Sequence, residues 1–253
     1  MARYDETFWR RVVARTKAHT LMGSLRRLVE NQEQKVTLRL TDNLAEHDVL
    51  ESLLEESKPD GVEHPRLRQF DYLLRTPWRY PPLPWGSRFG RRFEPSLFYG
   101  ALDRHALFAE AAYYRLVFLE GMRKPFGDRV ISQFTVFEAT YRTEQGLDMS
   151  QRPFRKHEDA LRDRADYGAC QALGTVLRER EIEAITYLSA RTVDDRLNVA
   201  LFSPLALRSR KHRNPAHGIC ETRSTEVSFR LGNDLFTFPR KQFLVNEKLP
   251  VPA

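Results

Sequence analysis

The alternation of apolar and polar positions divides this chain into a mixture of helices and strands. Residues 1–30 read as helical, basic and amphipathic. Val36, Leu38 and Leu40 then alternate with Thr37, Arg39 and Thr41, the two-residue period of a half-buried strand. Thr41 to Asn43 can cap a helix carrying Leu44, Val49, Leu50, Leu53 and Leu54, and Pro59 and Gly61 end it. Farther on, Asp103 caps a helix of about 17 residues. Residues 130–141 alternate as a strand, 159–180 have the helical period, and 184–188 and 197–202 are short apolar strands. Residues 226–230 and 235–238 flank Gly232, Asn233 and Asp234, a hairpin signal. Helices and strands mix without a repeated βαβ rhythm, which predicts an α+β fold rather than a doubly wound sheet.

One stretch, 76–96, has no period. Pro77, Pro81, Pro82, Pro84 and Pro95 argue against a regular helix there. The same stretch holds Trp78, Tyr80, Trp85, Phe89 and Phe93, more aromatic surface than a disordered linker carries. An ordered, packed loop is the expectation, and such loops often hold function.

Two features suggest chemistry. Glu110 lies three residues after Leu107, four before Tyr114 and seven before Val117, on one stripe of its helix with apolar side chains. A carboxylate in that position is partly desolvated unless paired; the plainer alternative is a glutamate at the stripe's edge that meets water or an arginine. The loop before it carries Arg75, Arg79, Arg88, Arg91 and Arg92 among aromatics. Guanidinium groups grip phosphates and rings hold flat bases, a combination that suits a nucleotide or single-stranded nucleic acid. The plainer reading is a solvated basic loop, and the run Arg208, Arg210, Lys211 and Arg213 reads the same way. His212, His217 and Cys220 lack the pair spacing of a structural zinc site, and no metal is expected. Gly-rich phosphate loops and nucleophile elbows do not occur.

Composition narrows the class only slightly. Lys and Arg number 41 against 34 Asp and Glu, a net charge of +7 that favours anionic partners. Two cysteines, Cys170 and Cys220, are too few for a disulfide scaffold and read as reduced thiols of a cytoplasmic protein. The most apolar stretch, 106–122, is broken by Glu110, Arg115 and Glu120, so no membrane span is expected.

The pieces follow an order that resembles the RES domain, named for its Arg, Glu and Ser. The segments are PWRYPPLPWGSRFG at 77–90, LFYGA at 97–101, ALFAEAAY at 106–113, DYGACQALG at 166–174, ITYLSAR at 185–191 and NVALF at 198–202. Arg88, Tyr99 and Glu110 are spaced eleven and eleven residues apart, as in the family. The resemblance implies an ADP-ribosyltransferase-like split mixed sheet with flanking helices. Residues 1–75 would form an N-terminal helical extension, partly integrated with a catalytic domain at 76–253. It further implies an enzyme that breaks the nicotinamide bond of NAD, as phosphorylase or glycohydrolase, with inorganic phosphate as a co-substrate in the first case. NAD is then a substrate, and no resident cofactor is expected.

By the same resemblance Glu110, Arg88 and Ser189 are catalytic. Tyr80, Tyr99, Gln171 and Asn198 bind substrate, as does the family's first arginine, which is either Arg79 or Arg27. Phe89 stands where the family has Trp. Studied members are toxins, and a helix-turn-helix-type antitoxin is the implied partner, with nucleic acid contacted only through it. Two other classes stay open from the residues alone: an ADP-ribosyltransferase that modifies a macromolecule, and a non-enzymatic nucleic-acid binder.

Overall fold

The structure is a computed structural model. It describes residues 3–30, 43, 45–46, 49–50, 52–53, 64–79, 83–123 and 128–251, without the side chain of Arg79. Among these residues the helices are α1 (Glu6–Val13), α2 (Tyr72–Arg79), α3 (Arg104–Gly121), α4 (Glu158–Leu161) and α5 (Gly168–Glu179). The strands are β1 (His19–Glu30), β2 (Phe98–Ala101), β3 (Val130–Asp148), β4 (Ala184–Leu188), β5 (Leu197–Leu201), β6 (Arg213–Thr222), β7 (Glu226–Leu231) and β8 (Asp234–Pro239). They join in one mixed sheet, in the order β1-β2-β5-β4-β3-β6-β7-β8, and β1 also pairs with β3. The fold is α+β, as the pattern predicts.

That second pairing closes β1, β2, β5, β4 and β3 into a ring. Strand β3 makes this possible by its length. From Phe134 opposite Glu30 to Gly146 opposite His19 it pairs antiparallel with β1, and its last residues pair parallel with β4. Its N-terminal half pairs with β6, which continues into the β7–β8 hairpin. One core lies between α3 and the β6–β8 arm, where Phe108, Phe134, Phe229 and Phe238 meet. A second joins α1 and α5 to β4 through Trp9, Phe89, Leu173 and Ile185. A third packs Leu74 and Trp78 of α2 against Leu25, Phe98 and Phe137. Among the described residues no helix is long and apolar enough to cross a membrane.

Several expectations are corrected. Residues 1–30 are not one helix. Asp5 caps α1, and its carboxylate accepts from the Phe8 N–H at 2.8 Å, but the chain turns into β1 at His19. Charge pattern suggested helix; a full-length ladder with β3 and the fully buried Leu25 decide otherwise. The helix expected over 159–180 breaks at 162–167. There Asp163 Oδ1 accepts from the Ala165 and Asp166 N–H groups and Asp166 Oδ1 from Gly168 N–H, local bonds that compete with the helical ladder. Pro77 sits inside α2, where it removes one backbone bond, and only two helical residues follow it. Strand β3 runs seven residues past the expected end, and β2 and β6 had no clear pattern. The strand expected at 36–41 lies outside the described residues. Of the helix expected over 44–54, positions 45–46, 49–50 and 52–53 are helical.

Candidate active site

Helix α3 begins where the Asp103 carboxylate accepts from the Ala106 N–H at 2.9 Å. Its buried face is made of Ala106, Leu107, Phe108, Ala109, Ala112, Tyr113 and Leu116. Glu110 lies at the margin of that face, half-buried, since Tyr114 one turn on is 43% exposed. Its partners are not an arginine. The Ser189 hydroxyl donates to Glu110 Oε1 at 2.7 Å and the Asn198 amide donates to the same oxygen at 2.8 Å. Both bonds fall on Oε1, which orients the carboxylate and directs Oε2 elsewhere.

The sheet places these two partners. Ser189 follows β4 directly and Asn198 lies in β5, opposite Tyr187 of β4. The loop between the strands is tied by Arg162, whose Nε donates to the Ser189 carbonyl at 3.1 Å and whose Nη2 donates to that of Thr192 at 3.0 Å. The Arg191 N–H donates to Ser189 Oγ at 3.1 Å. Ser189 thus accepts from the backbone and donates to Glu110, so its hydroxyl serves as a clamp on the carboxylate.

Two buried guanidinium groups stand beside this clamp. Arg88 is 6% exposed; its Nη1 donates to the carbonyls of Asp163 and Leu161 at 3.0 and 3.2 Å, and its guanidinium lies 4.4 Å over the Tyr167 ring. Arg191 is 1% exposed; it lies 3.4 Å over the Tyr113 ring, and its Nη2 donates to the Tyr167 hydroxyl at 2.9 Å. Tyr167 therefore bridges the two arginines. Burial by itself would lower the pKa of Arg88, but the net shift is upward, and Glu110 is the neighbour whose negative charge favours the guanidinium at neutral pH. A buried guanidinium without a carboxylate bonded to it costs several kcal/mol in principle, which a neutral side chain would avoid. Three buried polar atoms here lack a protein partner: Arg88 Nη2, Arg191 Nε and Asn198 Oδ1. They are two donors and one acceptor around one carboxylate, a set that a polar anionic ligand can satisfy.

The other expected residues take different positions. The Tyr99 hydroxyl accepts from the Phe89 N–H at 3.0 Å and bonds Ser87 Oγ at 2.9 Å, so it fixes the loop that holds Arg88. Burial pushes its pKa up to about 12. Tyr187, 7% exposed, is also raised by burial, with the charge of Glu110 adding to the shift. The Gln171 amide donates to the carbonyls of Trp85 and Ser87 at 2.9 and 3.1 Å, a second tie on the same loop. Arg27 of β1 donates to the Tyr99 carbonyl at 2.8 Å and stacks 5.0 Å from the Phe98 ring. Arg79 ends α2 with its side chain outside the description, and Tyr80 lies outside the described residues.

Three side chains near Glu110 escaped the sequence reading: Arg191, Tyr167 and Tyr113. Two of them had a visible signal, since Arg191 is the first charge after the uncharged run 184–190 and Tyr113 shares the buried face of α3. Elsewhere, His212 Nδ1 lies 2.7 Å from Asp71, His217 bonds Thr135 and Cys220 bonds Thr222, so these three do not converge.

The profile of the RES domain matches residues 64–225, more than half of the chain. The chain belongs to the RES-domain family. The match spans every residue that builds the Glu110 cluster, from Arg88 to Asn198. A comparison with curated proteins found no match. Among solved structures this RES-domain chain is similar to "Crystal structure of the M.tuberculosis MbcT-MbcA toxin-antitoxin complex", at 13% identity and a TM-score of 0.44, covering 81% of this chain and 91% of that one.

Proposed function

We propose that this RES-domain chain cleaves NAD between nicotinamide and ribose, in a cleft of an ADP-ribosyltransferase-like sheet. The observation that carries the proposal is the Glu110 carboxylate, clamped through one oxygen by Ser189 and Asn198 beside two buried arginines. Breaking the nicotinamide bond leaves an oxocarbenium-like ribose, and a fixed carboxylate stabilises that charge without reorganising. Arg88 and Arg191 have N–H groups left for the pyrophosphate or for an incoming phosphate. Asn198 Oδ1 has an acceptor site for a ribose hydroxyl or the carboxamide. Nicotinamide departs as a neutral molecule from a cationic ring, so no general acid is required. Water or inorganic phosphate is the acceptor, giving a glycohydrolase or a phosphorylase. Family membership adds a role as the toxin of a toxin–antitoxin pair, with a helix-turn-helix-type antitoxin covering the cleft.

The test incubates the purified chain with NAD, with and without inorganic phosphate, and follows free nicotinamide. Release by the wild type and its loss in Glu110→Ala support the proposal. No release under either condition refutes NAD cleavage, and full activity of Glu110→Ala refutes the role of the carboxylate. Labelled ADP-ribose retained on protein or nucleic acid would instead identify a macromolecular acceptor.

A further inference from the structure

The basic run that follows β5 is not simply a solvated loop. A cleft of about 510 Å3 opens between the 3-10 turn Pro65–Gln69 and residues 208–210, and Arg66, Arg208 and Arg210 line it together with His64 and Gln69. Among the described residues that line it there is no carboxylate. Its two walls come from stretches about 140 residues apart in sequence, and they are stapled together. Arg66 Nη2 donates to the Leu207 carbonyl at 3.2 Å and the Asp71 N–H donates to the Arg210 carbonyl at 2.9 Å. Asp71 Oδ2 accepts from the His212 N–H at 2.6 Å. Arg208 Nε donates to the Arg142 carbonyl at 3.2 Å.

These bonds orient two of the guanidinium groups without neutralising them. Asp71, the carboxylate within the staple, is bonded to Leu74 and His212. Glu144 feels Arg208 but is bonded to Thr20 and Arg142. Three cations therefore converge on one concavity, an arrangement that raises the energy of the empty site and favours an anion in it. Guanidinium forks match the oxygens of phosphate, and three of them match a chain of phosphates better than a single one. The volume lies within the range of small-molecule sites, roughly 300–1,000 Å3, and the shape is a cleft rather than an extended stripe.

We infer that this cleft binds a polyphosphate chain, either free inorganic triphosphate or the triphosphate of a nucleotide. The inference stands apart from NAD cleavage and involves none of the residues around Glu110. Isothermal titration calorimetry of the full chain with inorganic triphosphate, and separately with ATP, tests it. One equivalent should bind, and the exposed pair Arg208→Ala/Arg210→Ala should weaken binding at least about tenfold. Nicotinamide release by that variant should match the wild type. Tighter binding of ATP assigns the nucleotide as source, and equal binding assigns the phosphate chain alone. Binding unchanged in the double variant overturns the inference, because the anion then sits elsewhere. Absence of binding to the wild type overturns it as well. Binding of a short single-stranded RNA without binding of triphosphate does the same.

Discussion

Gly174 links packing to the candidate chemistry, and replacing it by alanine should disturb both. The residue lies in α5 where the helix crosses the Arg88 loop. A Cβ added there would lie 2.7 Å from the carbonyl carbon of Phe89, with the carbonyl oxygen closer still. Ordinary contact begins at 3.4 Å, so helix and loop must separate by at least about 0.7 Å. Little can give way. The loop is held by Gln171 through Trp85 and Ser87, by the Tyr99 hydroxyl through Phe89, and by Arg88 itself through Leu161 and Asp163. Overpacking of this kind costs about 1–3 kcal/mol. For a chain of this size that lowers Tm by roughly 2–12 °C. Arg88 adjoins Phe89 and moves with it, and a displacement approaching 1 Å costs about a hundredfold in rate. Thermal melting and the nicotinamide assay read the two effects. Gly121→Ala is the control, since nothing lies within 4 Å of its added Cβ. A Gly174→Ala variant with wild-type Tm and wild-type NAD cleavage would refute the reasoning.

Three further outcomes are expected. Glu110→Gln keeps an oxygen for Ser189 and Asn198 but loses the charge, so it should fold normally and lose at least about a hundredfold in NAD cleavage; near-wild-type rates would remove electrostatic stabilisation from the mechanism. Arg88→Lys keeps the charge but cannot bond two carbonyls and stack on Tyr167 at once; KM for NAD should rise several-fold, and an unchanged KM would show that charge alone suffices. Cys170 is fully buried, and burial pushes its thiol up to about 11, against Arg88, which draws it down. It should resist alkylation at pH 8 until the chain unfolds. Its folded pKa lies above the unfolded value of 9.0, so its contribution to stability is complete below pH 9 and is lost as pH rises toward 11. Urea melts across pH 8–11 should show falling stability, and a flat profile would contradict the burial argument.

Local patterns made α3, β4, β5 and the β7–β8 hairpin legible, because each has an uninterrupted period and a cap or turn residue at its end. Asp103 and Gly232 are such residues. Strand β1 was not legible: its charged, irregular pattern acquires strand character only through β3, a partner on the order of a hundred residues away. The break between α4 and α5 was hidden for the opposite reason, a local one, since Asp163 and Asp166 fit a helical period while their carboxylates capture nearby N–H groups. In the candidate site, the order of motifs pointed to Glu110, Arg88, Ser189 and Asn198, which the fold gathers around one carboxylate. It could not distinguish touching a ligand from holding a loop, and Gln171 is seen here in the second role. Nor did it reveal Arg191, whose role depends on Tyr113 and Tyr167 arriving from two other elements.

The closed ring of strands has a kinetic consequence. The ladder between β1 and β3 joins the most distant stretches of sequence in the sheet, and such long-range pairing is slow to form. Where β1 is not yet docked, β2 has β5 beside it but not β1, and it lacks the Arg27 bond to Tyr99 that backs the Arg88 loop. A nascent or partly folded chain can therefore hold most of its helices and the β6–β8 arm and still be catalytically silent. If the proposed NAD cleavage holds, that delay keeps the site unassembled until the ring has closed.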